Sequence, residues 1–318
     1  ENVYDWVIID EAARSIASEL AIAMQSAKRV LLVGDHLQLP PLYSDAHKVA
    51  LARKLGVNSS RTEIDEVLRS DFARAFNSKY GSQTSASLLT QYRMAGPIGD
   101  LVSETFYNKT LINGNRTVPE EIYEFAPDVL RNVVTWIDTS NQGQKSHHLA
   151  DRGASIYNRC EADQIISVLK EVSENAEFTE RLSTLSSEEE AVIGVICMYA
   201  EQKWLIRQKF NQEIWSDGFK KLVKIDTVDS YQGKENRVII LSLTRTDKLH
   251  SPGFMRAPNR INVAMSRAMD RLLIVGNADM WKGVNKNLPL GEVVKYMTER
   301  GKKAGYAFIP SRLVGRQK

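Results

Sequence analysis

Two adjacent carboxylates, Asp10 and Glu11, directly follow a short apolar segment, Trp6–Ile9. The β-branched residues of this segment predict a buried parallel strand. An aspartate at the end of such a strand can hold Mg²⁺ through its water ligands, and a neighbouring glutamate can polarise the water that attacks a γ-phosphate. Acidic residues are also favoured at helix N-termini, so the pair alone is equally compatible with a structural role.

A glutamine, Gln38, holds a similar position after the next apolar segment, Arg29–Val33. That segment predicts a second buried strand, and the apolar spacing in Ser15–Met24 predicts a helix between the two. A strand, a helix and a second strand form a βαβ unit, in which ligands bind at the carboxyl ends of the strands. We therefore expect Gln38 near the same γ-phosphate as the two carboxylates.

A second candidate group is the tripeptide Gln91-Tyr92-Arg93. Arginine is always charged, and its fork of donors fits phosphate oxygens, which suits the role of an arginine finger. Tyr92 beside it could stack on a base. An ordinary ion pair at the start of a surface helix is the alternative, and the tripeptide alone does not exclude it.

The third group is a turn, Gln232-Gly233-Lys234-Glu235, that precedes a predicted strand. Gly233 permits a close approach of the backbone to a ligand, and Glu235 could accept a ribose hydroxyl. Arg267 is a second candidate finger. Arg260 and Arg267 are seven residues apart, close to two helical turns, so we expect them on one helix face. Their spacing leaves open whether that face meets a ligand or acidic side chains.

The elements that must position these groups alternate between strands and helices, which predicts an α/β protein with two stacked domains. The predicted strands after the first two are Val133–Ile137, Ala191–Ile196, Leu222–Asp226, Val238–Leu243 and Leu272–Val275; the main helices are Pro97–Tyr107, Cys160–Val172 and Gln202–Phe210. A segment rich in Ser, Thr and Gly, Gly81–Ser87, predicts the domain junction. The polar segment 141–154, with His147-His148, predicts a mobile loop without metal, and the chain from Arg300 onward a solvated tail.

Composition adds broad limits. A hydrophobic content of 43% and a charged content of 25% over 318 residues are ordinary for a globular protein, and no run is long enough to span a bilayer. Cys160 and Cys197 have no metal-ligand spacing, which indicates a reduced, intracellular protein, cytoplasmic in a bacterium and cytoplasmic or nuclear in a eukaryote. A net charge of +3 permits a nucleic-acid partner without requiring one.

In their order along the chain, these segments resemble motifs II, III, IV, V and VI of superfamily 1 helicases. The segments are Asp10–Ala13, Gly34–Pro41, Gln91–Met94, Val228–Glu235 and Asn262–Ala268, with a further family block at Ile193–Gln202. More narrowly, they are similar to the branch (1B) that contains the nonsense-mediated-decay helicase and senataxin. Five motifs in the right order, spread over Val7–Gly276, make the resemblance specific, although each motif alone is weak.

The resemblance implies the RecA-like fold of P-loop NTPases, with parallel sheets flanked by helices. Residues 1–86 would be the last part of a first RecA-like domain and residues 87–318 a complete second one. It implies ATP and Mg²⁺ as cofactors, bound at the cleft between the domains, and single-stranded DNA or RNA as the partner along which the protein moves. Membrane binding is not implied, and other protein partners are left open.

The resemblance also implies roles for the matching catalytic residues. Asp10 would help to hold Mg²⁺, and Glu11 would activate the hydrolytic water. Gln38 would contact the γ-phosphate, on which Arg93 and Arg267 would act as fingers. These five residues are the expected catalytic set.

The remaining matches would bind rather than react. Tyr92 would stack on the adenine, Glu235 would hold the ribose, and Gly233 would form part of the same wall of the ATP site. Thr227 and Ser230 would touch the backbone of a single strand. The last match, Tyr199, would either face the strand or lie in the core as an ordinary buried tyrosine.

Two departures from the family pattern have consequences. Ala95-Gly96 replaces the usual His-Pro after Gln91–Met94, with Pro97 one place later, which is expected to change the helix start beyond Arg93. The phosphate-binding loop Gly-x-x-x-x-Gly-Lys-Ser/Thr does not occur in the 318 residues, and the family places it upstream of motif II. Because that loop cradles the β- and γ-phosphates, we expect this polypeptide alone to have little ATPase activity.

Two rival functions remain to be weighed. A non-catalytic nucleic-acid-binding or scaffold protein could keep the fold after losing its phosphate loop, but it would need none of the catalytic set. A dinucleotide-binding enzyme is disfavoured because no Gly-x-Gly-x-x-Gly follows a strand. The gene sequence upstream of Glu1 would separate the first rival from an enzyme: a phosphate loop there favours the enzyme, and a start codon near Glu1 favours the scaffold.

Overall fold

The chain forms two compact units in a computed structural model. The units are Glu1–Leu88 and Leu89–Lys318. The structure describes residues 3–56, 64, 68, 70–150, 155–186 and 191–312.

The first unit contains the βαβ arrangement expected from the sequence. Strands β1 (Tyr4–Ile9) and β2 (Ala27–Leu32) pair in parallel, with Tyr4 opposite Ala27 and Ile9 opposite Leu32. Helix α1 (Ala17–Met24) connects them and packs on both strands. Three further helices follow among the residues that the structure describes: α2 (Asp45–Leu55), α3 (Asp71–Phe76) and α4 (Gly81–Thr84).

The prediction that both of these strands are buried was wrong. Trp6 is 54% exposed and Ile8 66%, and Leu31 of β2 is also exposed. The core of this unit is small and consists of Ala12, Ala13, Leu20 and Phe72, with a few half-buried neighbours. The reason is the size of the sheet: within the described residues, this unit has two strands, and one crossover helix covers them.

The second unit is built on a six-stranded sheet in which every pairing is parallel. The strand order is β10-β5-β9-β8-β6-β7. The strands are β5 (Val134–Asp138), β6 (Ile193–Cys197), β7 (Val223–Thr227), β8 (Asn236–Ser242), β9 (Ala268–Gly276) and β10 (Tyr306–Pro310). A separate two-stranded pair precedes them, β3 (Thr90–Gln91) with β4 (Ile112–Asn113). The predicted class, α/β with parallel sheets, is confirmed.

Helices cover both faces of the large sheet. The helices of this unit are α5 (Gly96–Phe106), α6 (Glu120–Tyr123), α7 (Arg159–Glu174), α8 (Ala176–Ser183), α9 (Ala200–Gln212), α10 (Phe219–Leu222), α11 (Pro258–Met265) and α12 (Pro289–Arg300). Leu273 and Val275 of β9 belong to one core cluster with Ile165 of α7. The alternate residues Leu272 and Ile274 are also fully buried, and successive side chains point to opposite faces of a strand.

One prediction about a polar segment needs correction. Beyond Arg300, residues 306–310 form strand β10 at the edge of the sheet, and Tyr306 there is buried. In the other polar segment, His148 is half-buried, and its Nδ1 lies 2.6 Å from the carbonyl oxygen of Thr246. Burial lowers the pKa of this imidazole. The end of the predicted loop, residues 151–154, lies outside the described residues.

Candidate functional site

The loops that follow β1 and β2 lie against one another in the first unit. The Ala12 N–H donates to the Val33 carbonyl oxygen at 2.9 Å. A Cβ on Gly34 would stand 2.8 Å from the Ala13 nitrogen, so only glycine permits this approach. The structure therefore brings the Asp10-Glu11 turn beside the loop that carries Gln38, as expected for the carboxyl ends of paired parallel strands.

The polar side chains of these loops are held by local hydrogen bonds. Glu11 has a positive φ of 53° and donates its N–H to Asp10 Oδ1 at 2.8 Å. Gln38 Nε2 donates to Asp35 Oδ2 at 2.9 Å, while the other oxygen of Asp35 accepts the Leu37 N–H. A positive φ is uncommon for a residue with a side chain, and it marks the turn at Glu11 as a constrained one.

The donor set in the first unit fits Mg²⁺ only together with other ligands. Asp10 offers one exposed carboxylate, and the described residues contain no cluster of three or more metal-ligating side chains. Mg²⁺ is commonly held by one or two carboxylates together with water and substrate phosphates. Asp10 can therefore supply one ligand of a nucleotide-bound Mg²⁺ ion but not an all-protein site.

In the second unit, two predicted site residues form a direct ion pair. Arg93 Nε donates to Glu235 Oε2 in a short contact, and each side chain is about one-third exposed. The backbone of Arg93 is fixed by Gln91, whose Oε1 accepts the N–H groups of Arg93 and Met94 at 3.0 and 2.7 Å. Residues that are 142 positions apart in sequence thus meet at one point.

The second predicted finger, Arg267, is buried and does not share a helix face with Arg260. Helix α11 ends at Met265, and Arg267 lies in the turn before β9 with only 2% of its surface exposed. Its Nε donates to the Val263 carbonyl at 3.2 Å and its Nη1 to the Lys234 carbonyl at 3.3 Å. The helical spacing failed here because the chain leaves the helix between the two arginines.

The remaining nucleotide-site candidates are Gly233 and Tyr92. Gly233 has a φ of 76°, so the turn before β8 depends on glycine. Tyr92 is 64% exposed, and one edge of its ring rests on Gly114, where a Cβ would approach the ring within 2.4 Å. An exposed, supported aromatic ring of this kind is suited to stacking on a planar group.

The residues predicted to bind single-stranded nucleic acid lie at the end of β7 or shortly after β6 and β7. The hydroxyls of Thr227 and Ser230 are 3.3 Å apart across a 3₁₀ turn. Tyr199, after β6, is largely buried: its ring packs on Phe254 with centroids 4.6 Å apart, and Arg245 donates to its hydroxyl at 3.4 Å. Burial raises the pKa of the Tyr199 hydroxyl. Of the three candidates, Thr227 and Ser230 are the more accessible.

The six-stranded sheet has an amino edge, where its parallel strands begin, and a carboxyl edge, where they end. The nucleotide-site candidates of the second unit lie at the first and Thr227 lies at the second. Glu235 immediately precedes β8 and Arg267 immediately precedes β9, so both lie at the amino edge. Arg93 joins this edge because Ala95 donates to the Met269 carbonyl at 2.7 Å. Thr227 ends β7 at the carboxyl edge. A five-residue strand is about 16 Å long, so Thr227 lies roughly that far from the amino edge. Ser230 lies closer to Glu235, because Lys234 Nζ donates to the Ser230 carbonyl oxygen at 2.9 Å.

One buried network was missed from the sequence. Glu161 lies wholly inside the protein and accepts hydrogen bonds from the Ser242 hydroxyl and the Thr244 N–H, both at 2.7 Å. Asn158 caps helix α7 through the Glu161 N–H, and Gln202 contacts the Asn158 backbone and Ser242. The available signal was the spacing Asn-x-x-Glu, which is typical of a helix N-terminus. Burial raises the pKa of Glu161 to about 8.

Comparison with known proteins identifies relatives of this chain. A family profile described as "AAA domain" matches residues 67–279, and a second profile with the same description matches residues 1–45. Helicase sen1 of Schizosaccharomyces pombe is 29% identical over 285 residues, which are 88% of this chain and 15% of that protein. ATP-dependent helicase upf1 of the same organism is 30% identical over 281 residues, 85% of this chain and 26% of that protein.

A solved structure of the Arterivirus nonstructural protein 10 helicase with DNA aligns over 91% of this chain and 42% of its own, with 14% identity and a TM-score of 0.39. The chain thus spans about a quarter or less of the two curated relatives. The first "AAA domain" profile alone covers well over half of the 318 residues. The chain therefore belongs to the AAA domain family, and the proteins to which it is similar include Helicase sen1 and ATP-dependent helicase upf1.

Proposed function

We propose that this chain is the motor portion of an intracellular ATP-dependent helicase that moves along single-stranded DNA or RNA. The observation that carries the proposal is the meeting of Arg93, Glu235 and Arg267 at the amino edge of the large sheet. Three segments far apart in sequence supply two guanidinium groups and a carboxylate to one place. A scaffold would not require this constellation, whereas phosphoryl transfer is accelerated by guanidinium groups that neutralise charge on the phosphates.

The first unit would supply the other half of the chemistry. Asp10 would hold Mg²⁺, which neutralises the charge that develops on the phosphates when it is bound. Glu11 would orient and polarise the attacking water, and Gln38 would contact the γ-phosphate. Support comes from the adjacency of their two loops. Residues 1–86 and 87–318 would be parts of two RecA-like domains.

Single-stranded DNA or RNA would bind at the carboxyl edge of the six-stranded sheet. The hydroxyls of Thr227 and Ser230 can donate to phosphate oxygens, a contact that does not depend on base sequence. Tyr92, exposed in the second unit, would stack on the adenine of ATP. Tyr199 would contribute indirectly, because its ring packs on Phe254 and supports the surface that binds the nucleic acid.

The test uses the gene product that contains this chain. ATP turnover is measured with and without single-stranded DNA or RNA, followed by unwinding of matched DNA and RNA duplexes. We expect strand-stimulated hydrolysis and unwinding, and we expect Glu11→Gln to abolish both while ATP binding persists. A protein that binds single strands but hydrolyses no ATP would overturn the proposal and favour the scaffold.

The purified 318-residue chain provides a second comparison. Because its sequence contains no Gly-x-x-x-x-Gly-Lys-Ser/Thr, we expect little or no ATP hydrolysis from it under the same conditions. Turnover by this chain comparable with that of the gene product would show that the phosphates are held by other residues.

A further inference from the structure

We infer that Glu235 is a positioning residue for Arg93, and that its main contribution to ATP hydrolysis is to aim this guanidinium. The inference rests on the proposed function and departs from the ribose-binding role that the family resemblance implies for Glu235. It is carried by the way the two side chains and their backbones are held.

The carboxylate engages one particular edge of the guanidinium. Glu235 Oε2 accepts from Arg93 Nε, the donor nearest the aliphatic stem. Arginine presents five N–H donors in one plane, so a partner at Nε leaves the two Nη groups directed away. Among the described residues, these Nη groups of Arg93 have no hydrogen-bond partner. The contact therefore orients the fork and leaves its outer donors available for phosphate oxygens.

Both partners stand on fixed backbone. The Gln91 amide binds the N–H groups of Arg93 and Met94, and its Nε2 donates to Met94 O and Asn113 Oδ1 at 3.0 and 2.7 Å. These hydrogen bonds fix the backbone from which the Arg93 side chain extends. The Nε contact then restricts this side chain near its tip.

The backbone on both sides of Glu235 is hydrogen-bonded to Arg267, the second candidate finger. Arg267 Nη1 donates to the carbonyl of Lys234, and the Arg267 carbonyl accepts the N–H of Asn236 at 3.1 Å. The residues before and after Glu235 are thus bound to a single buried arginine. This arrangement links Arg93 and Arg267 through Glu235, so the two fingers share one support.

The ribose and positioning roles differ in a measurable way. ADP and ATP carry the same ribose, but only ATP carries the γ-phosphate that Arg93 would contact. A residue that binds ribose should affect both nucleotides equally. A residue that aims Arg93 should affect hydrolysis and leave ADP binding intact.

The experiment compares Glu235→Gln, Arg93→Ala and the double variant in the gene product. We expect Glu235→Gln to lower kcat by about 10- to 100-fold, because a small misplacement of a catalytic group has an effect of this size. The Kd for a fluorescent ADP analogue should change less than about twofold. The double variant should be no slower than Arg93→Ala, since Glu235 acts through Arg93.

Glu299→Gln is the matched control, because it removes the same charge from an exposed glutamate of α12. It should leave kcat and ADP affinity unchanged. The inference is overturned if Glu235→Gln weakens ADP binding as much as it slows hydrolysis, or if the double variant shows the product of the two single losses. If the unmodified protein hydrolyses no ATP with any strand, the proposed function fails instead, and the two failures are distinguishable.

Discussion

The carboxylate of Glu161 accepts the backbone N–H of Thr244 at 2.7 Å, although 83 residues separate them in sequence. Thr244 has a φ of 67°, an uncommon value for a threonine. The same carboxylate oxygen accepts the Ser242 hydroxyl. Glu161 thus holds the loop after β8 in a conformation that this loop would otherwise disfavour, and it does so from the first turn of α7.

The first prediction concerns the pH dependence that Glu161 gives to folding. Burial raises its pKa from 4.5 to about 8. Between these values the folded state keeps the proton that the unfolded state has lost, so the contribution of Glu161 to the free energy of unfolding falls as pH rises. We expect urea unfolding at pH 5 and pH 8 to show this fall in the unmodified chain and its loss in Glu161→Gln.

The variant should also be less stable at pH 5 by about 1 kcal/mol. If the glutamine oxygen accepts from Ser242 and Thr244, its amide nitrogen must face Asn158 Nδ2, which is itself a donor. Glu180→Gln, at an exposed position of α8, is the control and should change neither value. An identical pH slope in Glu161→Gln and the unmodified chain would contradict the assignment.

The second prediction concerns Arg267→Ala. Loss of the Arg267 guanidinium should reduce the rate of ATP hydrolysis by the gene product about 10³-fold, while the affinity for single-stranded nucleic acid is largely retained. The buried contacts add an effect on folding: without this guanidinium, the Lys234 and Val263 carbonyls lose charge-assisted bonds. We therefore expect the free energy of unfolding to fall by about 2 to 3 kcal/mol in urea titrations of the chain.

Arg256→Ala, which removes an exposed arginine close to α11, is the control for the stability measurement. An unfolding midpoint of Arg267→Ala equal to that of the control would mean that the two carbonyl contacts contribute nothing. Activity measurements on Arg267→Ala should accordingly be made well below the temperature at which the variant unfolds.

The third prediction concerns a buried carboxylate at the start of β9. Asp270 pairs with Arg116 in a short contact, accepts the Tyr123 hydroxyl at 3.0 Å, and lies 3.7 Å from Arg237. Asp270→Asn keeps the shape but leaves the nearly buried Arg116 without its counter-charge. We expect a loss of about 3 to 5 kcal/mol in the free energy of unfolding.

The matched control for this substitution is Asp279→Asn. Asp279 pairs with Lys282 at 2.7 Å, but both side chains are more than half exposed. Removal of that pair should change the free energy of unfolding by less than about 1 kcal/mol. Equal effects of the two substitutions would mean that burial adds nothing to the Asp270 contacts.

The strands and main helices were predictable because they depend on local periodicity. Apolar runs such as Val238–Leu243 and Leu272–Val275 are fully buried in the sheet, as continuous apolar strands of a parallel sheet must be. The exposure of β1 was not predictable, because burial depends on what packs against a strand and not on the strand itself. Strand β10 was missed because its five residues follow a basic stretch and because its place in the sheet depends on pairing with β5, where Tyr306 lies opposite Val134.

Side-chain environments of the site were harder to predict than its residue types. Arg267 was identified as a candidate from its type, but its burial depends on Lys234, 33 residues earlier in sequence. Likewise, the pairing of Arg93 with Glu235 spans 142 residues. Spacing along a chain gives neighbours within a helix or strand, whereas these contacts follow from the topology of the sheet.

The last prediction concerns Arg260, which stands near the opposite end of α11 from Arg267. Its Nη2 pairs with Asp229 at 3.3 Å, and its guanidinium lies 4.7 Å over the Phe254 ring. Asp229 belongs to the 3₁₀ turn that carries Ser230, so Arg260 holds the turn that would contact the strand. A half-exposed ion pair and a cation–π contact together contribute about 1 kcal/mol.

We expect Arg260→Ala to weaken the affinity of the gene product for labelled oligothymidine or oligouridine about fivefold, the change that corresponds to this free energy. Because the partners of Arg260 are Asp229 and Phe254 and neither is a nucleotide candidate, the Kd for an ADP analogue should not change. Arg131→Ala, which breaks an exposed pair with Asp128, controls for the loss of one positive charge. An equal loss of strand affinity in both variants would point to net charge alone, and a loss of ADP affinity in Arg260→Ala would show that the nucleic-acid and nucleotide sites are not separate.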